Sequence, residues 1–228
     1  IKNGKISNIS YSSLWKKVIE IGKGVSSFKN RDLKPTVGLL THNQLNGALV
    51  DLACLSFGFK IIPIPLNSTS EHASYIINHS EITHLFIDGE NAEQIWNDIR
   101  HSHDIVTIAM SEANKITDYS MNWDSFLFSG DSVQNFDVNG QLSNIDMNAI
   151  QTIMYTSGTT ANPKGIIFDQ VNIISKRFAR ALALPSLSSE DIFLAYLPLF
   201  HTFGRYFEML GSIFWGSSYC FAESPAFN

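Results

Sequence analysis

The stretch Tyr155 Thr156 Ser157 Gly158 Thr159 Thr160 Ala161 Asn162 Pro163 Lys164 Gly165 crowds hydroxyls, glycines and a lysine between two apolar runs, Ile150 to Met154 and Ile166 to Phe168. It offers backbone N–H groups, the hydroxyls of Thr156, Ser157, Thr159 and Thr160, and one point positive charge to a polyphosphate. Counted from Gly158, Lys164 falls where the lysine of G-x-x-x-x-G-K-[ST] would stand, but two positions refuse that pattern. Pro163 has no N–H to give, and Gly165 replaces the hydroxyl residue that would hold magnesium. The β-branched run after the loop leaves no helix N-terminus aimed at the anion. The spacing therefore argues against a Walker-type NTPase. Residue by residue, a Ser/Thr-rich surface hairpin with a solvated lysine is the competing reading.

A second cluster is Leu197 Pro198 Leu199 Phe200 His201 Thr202 Phe203 Gly204 Arg205. A neutral imidazole at the end of a strand can donate to a carboxylate and turn as a pocket fills. Taken alone, His201 reads as readily as a ring satisfied in an aromatic core. Phe200, Phe203, Phe207 and Phe214 read as core by helical spacing, with Phe200 and Phe203 also able to line an acyl tunnel. His101 and His103 have no third ligand near them in sequence, which argues against zinc.

The first stretch resembles the signature of the AMP-forming acyl ligases, the superfamily of acyl-CoA synthetases, firefly luciferase and peptide-synthetase adenylation domains. That signature runs Tyr or Phe, Thr-Ser-Gly, Thr or Ser, Thr-Gly, any residue, Pro-Lys-Gly, and Ala161 stands where it has glycine. The second resembles the Leu-Pro-Leu-any-His-any-Phe-any-Arg of long-chain acyl-CoA synthetases at Leu197, Pro198, Leu199, His201, Phe203 and Arg205, with Gly204 in place of a frequent glutamate. Ile62 to Asn67 is similar to the superfamily's early Val-Pro-Leu-Asn, and Phe221 Ala222 Glu223 Ser224 to the segment that comes next in the long-chain group.

The resemblance implies the N-terminal domain of the adenylate-forming fold, an α/β architecture of doubly wound, mainly parallel sheets with flanking helices. Residues 1–148 would form a first α/β part, and residues 149–228 the start of a second that carries both motifs. It implies ATP, Mg2+ and coenzyme A, and a long-chain fatty acid as substrate. Thr156, Ser157, Gly158, Thr159, Thr160, Lys164 and Gly165 would hold the phosphates that leave as pyrophosphate. Lys164 and His201 would carry the catalytic work, with His201 beside the carboxylate. The magnesium-holding segment, the ribose-binding aspartate, the hinge and the C-terminal lid domain would lie beyond Asn228, so the 228 residues alone are expected to be inactive. Two alternatives stay open: an aryl, amino or short-chain acid as substrate, or an inactive binding module that keeps the loop for its fold.

The elements that must position these residues are legible from periodicity. With 44% apolar and 16% charged residues, a chain of 228 can bury one or two cores. A net charge of −5 with scattered basic residues gives no nucleic-acid footprint. Cys54 and Cys220 read as buried, reduced thiols, and no leader pattern opens the chain, so the expected location is cytoplasmic. Tyr206 to Phe221 is apolar enough to touch a bilayer, but Glu208 and its context favour core.

Ser10 should cap a helix with Tyr11, Leu14, Trp15, Val18, Ile21 and Val25 on one face, and Asn43 a buried helix over Gln44 to Phe57. Strands are expected over Thr36 to Leu40, Ile61 to Leu66, His84 to Asp88 and Ile105 to Ala109, with helices from Ser70 and over Asn91 to Ile99. That alternation predicts parallel β-α-β units. Residues 111–148 read as a connecting segment with an apolar island at Trp123 and Phe126 to Phe128. Beyond the loop, Val171, Ile174, Phe178, Ala181 and Leu182 should define a helix with Lys176, Arg177 and Arg180 on its polar side. A strand over Asp191 to Leu197, a helix through Phe207 ended by Gly216, and a strand over Ser218 to Phe221 complete the reading.

Overall fold

The computed structural model describes residues 7–28, 34–111, 119–156 and 162–221. Helix α1 (Tyr11–Ser27) starts at Ser10, whose hydroxyl accepts from the Ser13 N–H. Strand and helix then alternate as expected: β1 (Thr36–Thr41), α2 (Leu45–Phe57), β2 (Lys60–Pro63), α3 (Ser70–His79), β3 (His84–Asp88), α4 (Glu90–Ile99) and β4 (Val106–Ala109). β1 pairs in parallel with both β2 and β3, and β3 in parallel with β4. The chain steps to one side of β1 and then to the other, which makes the carboxyl end of β1 a topological switch point.

Within the strands the apolar run splits by alternation. Val37, Leu39, Ile61, Phe86 and Ile108 share a core with Val18 and Ile21 of α1 and with Leu49 and Ala53 of α2. Leu40, Ile62, Leu85 and Ile87 share the opposite core with Ile76 of α3 and Trp96 of α4. A sheet covered on both faces is why its strands read as unbroken hydrophobic runs.

Residues 119–148 do more than connect. β5 (Met121–Asn122) extends the sheet beside β4, and α5 (Trp123–Asp131) docks on α1, followed by α6 (Val138–Ser143). Phe126 is fully buried, and a Cβ on Gly24 of α1 would lie 2.7 Å from its ring. The close approach continues at Gly130, where a Cβ would sit 2.8 Å from the backbone nitrogen of Gly24. The apolar island is thus one face of a packed helix.

β6 (Ile150–Thr156) joins β2 in parallel, and β7 (Lys164–Asp169) returns antiparallel at the sheet edge. The seven strands run β5-β4-β3-β1-β2-β6-β7. After β7 comes α7 (Gln170–Ala183), which turns the opposite way from the sequence expectation. Phe178 and Leu182 are 60% and 74% exposed, whereas Gln170 and Arg177 are each only 7% exposed. The reason is a polar network at the end of α2. Gln170 donates to the Leu55 carbonyl (2.6 Å) and to Gln151 Oε1 (3.0 Å), and Gln151 donates to the carbonyls of Cys54 and Phe59. The last carbonyls of a buried helix need donors, and these two glutamines supply them. Arg177 lies inward over the Tyr206 ring at 5.4 Å, and burial draws its pKa down to about 10.

The last elements are β8 (Ile192–Leu194), a π-helix (Phe203–Met209), α8 (Leu210–Trp215) and β9 (Ser218–Cys220), with β8 and β9 paired in parallel apart from the main sheet. The expected strand over Asp191 to Leu197 is therefore shorter, and its second half is irregular. Cys54 is buried and Cys220 partly so, and both are free thiols. No helix among the described residues is long and apolar enough to cross a membrane.

His84 opens β3 stacked on Phe28 (4.1 Å between ring centroids), and burial pushes its pKa from 6.5 to about 4. The unfolded chain takes up a proton near pH 6.5 that the folded chain refuses until about pH 4, so acid favours unfolding. The melting temperature is expected to fall as pH drops from 6.5 to ~5, above the main carboxylate range, and His84→Gln should flatten that slope. An unchanged slope in the variant would contradict this assignment.

Candidate functional site

Thr156 and Lys164 face each other across the β6–β7 hairpin, the last and first residues of its two strands. Both are exposed, and the Thr156 hydroxyl reaches the Lys164 carbonyl at 3.5 Å. Ser157, Gly158, Thr159, Thr160 and Ala161 lie outside the described residues. Because β1, β2 and β6 are parallel, Thr156 opens on the same edge as the carboxyl end of β1. The motif is thus a hairpin, as its competing reading had it, but one placed at the edge where doubly wound sheets bind ligands.

The start of the hairpin is anchored by Tyr155. Its ring lies across Gly165, where a Cβ would come 2.7 Å from Ile153 and 3.3 Å from the Tyr155 ring. Its hydroxyl meets His79 Nδ1 at 2.7 Å and Ser80 Oγ at 2.8 Å, which ties the strand to the end of α3. Burial raises the phenol pKa, partly offset by the Ser80 bond.

The second motif runs from the turn after β8 into the first residues of the π-helix. His201 stands at the turn into that helix, not at a strand end: its N–H donates to the Pro198 carbonyl (2.9 Å), and its carbonyl accepts from Arg205 N–H (3.0 Å). Its Nδ1 accepts from the Phe203 N–H at 3.3 Å, so the neutral ring carries its proton on Nε2. The ring is exposed, which leaves Nε2–H free to donate to an incoming carboxylate. The phenylalanines expected in the core are split: Phe207 packs among Phe193 and Trp215, whereas Phe203 and Phe214 are each 47% exposed.

Gly204 has a physical reason to be glycine. A Cβ there would lie 2.5 Å from the carbonyl oxygens of both Leu197 and Pro198, so the π-helix presses directly onto the Leu-Pro-Leu backbone. That backbone is also held by Asn43. The Asn43 amide donates to the Leu197 carbonyl (2.8 Å) and the Ala195 carbonyl (3.4 Å), and its Oδ1 accepts from the Leu199 N–H (2.9 Å). Asn43 therefore does not cap α2, and Gln44 does so by accepting from the Asn46 N–H.

At the other end of the motif, Arg205 is fully buried. Its Nε and Nη2 donate to the two oxygens of Asp51 (2.8 and 2.5 Å), and its Nη1 donates to Thr152 Oγ1 (2.8 Å). Thr152 in turn donates to the Ile61 carbonyl. Burial opposes the charge on Arg205, but the Asp51 carboxylate more than offsets it, and the guanidinium pKa is raised. One side chain thus joins the π-helix, α2 and β6, the strand that leads into the phosphate hairpin. Asp51, Thr152, Asn43, His79 and Ser80 were not singled out from sequence as site residues. The available signal was Asp51, an acidic residue inside a helix that is otherwise almost wholly apolar or small.

A family model described as AMP-binding enzyme matches residues 2–228. Long chain acyl-CoA synthetase 4 of Arabidopsis thaliana is 27% identical over 221 residues, which cover 91% of this chain and 32% of that protein. A long-chain-fatty-acid–CoA ligase of Homo sapiens is 26% identical over 235 residues, 99% of this chain and 32% of that one. The chain thus spans about a third of the length of the curated relatives it matches. Among solved structures, o-succinylbenzoate CoA synthetase from Bacillus subtilis in complex with the acyl-adenylate intermediate OSB-AMP superposes with a TM-score of 0.69 at 18% identity, covering 97% of this chain and 52% of that one. At that identity the likeness is one of fold.

Breaking the buried pair should be costly, because it strands a charge. Asp51→Leu is expected to destabilise the protein by about 3–5 kcal/mol, and the double replacement Asp51→Leu with Arg205→Met by less than that single change, both read by urea unfolding. Gly204→Ala should cost about 1–3 kcal/mol by overpacking. An alanine variant as stable as the parent would refute the close contact at Gly204.

Proposed function

The chain belongs to the family of AMP-binding enzymes, and on that premise we propose that it carries the phosphate-binding and acid-binding parts of a ligase that activates a carboxylic acid with ATP. Its mixed α/β fold with a mostly parallel sheet is that of the N-terminal domain of adenylate-forming enzymes. A carboxylate oxygen attacks the α-phosphorus of ATP, the bond to the bridging oxygen breaks, and pyrophosphate leaves. The acyl-AMP then passes its acyl group to the thiol of coenzyme A, releasing AMP. A long-chain fatty acid is the substrate we favour, supported by the names of the relatives at 27% and 26% identity.

Positioning and charge neutralisation dominate such a phosphoryl transfer. Lys164 neutralises the departing phosphates as a point charge, beside Thr156, Ser157, Gly158, Thr159, Thr160 and the Gly165 backbone. His201 donates from Nε2 to the acid, which orients one carboxylate oxygen for attack. Mg2+ bound with the nucleotide would add charge neutralisation to that of Lys164 at the phosphates. The observation that carries this reading is the Arg205 link, which fastens the His201 segment to α2 and to the strand that enters the hairpin.

Pyrophosphate–ATP exchange by the intact polypeptide, compared with palmitate, acetate and an amino-acid mixture, tests the proposal. Palmitate-dependent exchange is expected, and Lys164→Ala should lower it by at least about tenfold, the size of one charge-assisted contact. Exchange with another acid alone would discard the long-chain assignment, and none with any acid would discard the activity. The 228 residues by themselves are expected to form no acyl-adenylate.

A further inference from the structure

We propose that Asn43 is a positioning residue for acid binding, setting the place of His201 through the backbone of residues 195–199; this rests on the reading of His201 given above. Asn43 lies just past β1 at the switch point of the sheet, outside both sequence motifs. Its three bonds go to backbone groups, two carbonyls and one N–H, all between β8 and His201. That set needs two donor hydrogens and one acceptor on a single side chain, which singles out an amide.

The segment that Asn43 holds is continuous with the imidazole. His201 N–H donates to the Pro198 carbonyl, inside the clamped segment, and Gly204 packs on Leu197 and Pro198 without room for a Cβ. Residues 197–205 are therefore held to one another by these contacts. Arg205 ties the far end of that unit to α2 and β6, whereas Asn43 ties the end that precedes the histidine to the sheet. Since Gln44 caps α2, the amide of Asn43 has no duty in its own helix. A shift of about 1 Å in a positioning group is enough to cost a large factor in rate, so a clamp of this kind acts on the reaction without touching substrate.

The test uses Asn43→Asp, which keeps the acceptor for Leu199 N–H but turns an oxygen toward the two carbonyls, with Asn43→Ala as the second variant should the first not fold. In the intact polypeptide, carbethoxylation of His201 by diethyl pyrocarbonate, followed by mass spectrometry with exposed His101 as internal reference, should change by at least about threefold in rate. In the exchange assay, KM for the acid should rise by about tenfold or more while KM for ATP stays within about twofold. A folded variant with unaltered His201 labelling, or with both KM values moving together, would overturn the proposal. If no acid supports exchange in the parent protein, the functional reading fails, and the labelling rate alone still decides whether Asn43 places His201.

Discussion

The Asp51–Arg205 pair is the contact that orders the site. A bidentate guanidinium–carboxylate bridge, fully buried and extended by Thr152, fastens three elements that are far apart in sequence. Such a pair is weak evidence of net stability, because desolvating two charges consumes most of their attraction. Its contribution is directional. With Nε, Nη1 and Nη2 of one planar group all engaged, the π-helix has one orientation on α2 and β6 that leaves no charge unpaired.

Around that point the proposed phosphate site has no helix dipole to draw on. The segment between Thr156 and Lys164 joins two antiparallel strands, so in the proposed role charge would come from Lys164. Tyr155 ties the base of that hairpin to His79 and Ser80 on the neighbouring layer. The imidazole is arranged by a different device, a π-helix whose first turn uses His201 Nδ1 as an acceptor and so directs the ring proton outward. π-helical turns often mark functional positions, and here the wider turn also brings Gly204 onto the Leu-Pro-Leu backbone.

The same principle, polar groups deciding where an element sits, governs α7. Its apolar residues Val171, Ile174, Phe178 and Leu182 face out, because Gln170 and Arg177 are drawn in by the carbonyls that end α2 and by the Tyr206 ring.

The alternation of strands and helices, the parallel order of the sheet, the Ser10 cap and the two motifs were all legible in the bare sequence, because each is encoded by local period, turn chemistry or contiguous residue types. The face of α7, the cap at Asn43 and the segment around Phe126 were misread there, since a local pattern competed with distant partners. Folding in three dimensions settled that Asp51 pairs with Arg205, that Asn43 clamps residues 195–199, that Tyr155 meets Ser80, and that the Phe203 N–H donates to His201 Nδ1. Those partners lie from two to more than 150 residues apart. No periodicity reports such pairings, since they arise from the need to satisfy buried polar groups once the sheet has brought its carboxyl ends together.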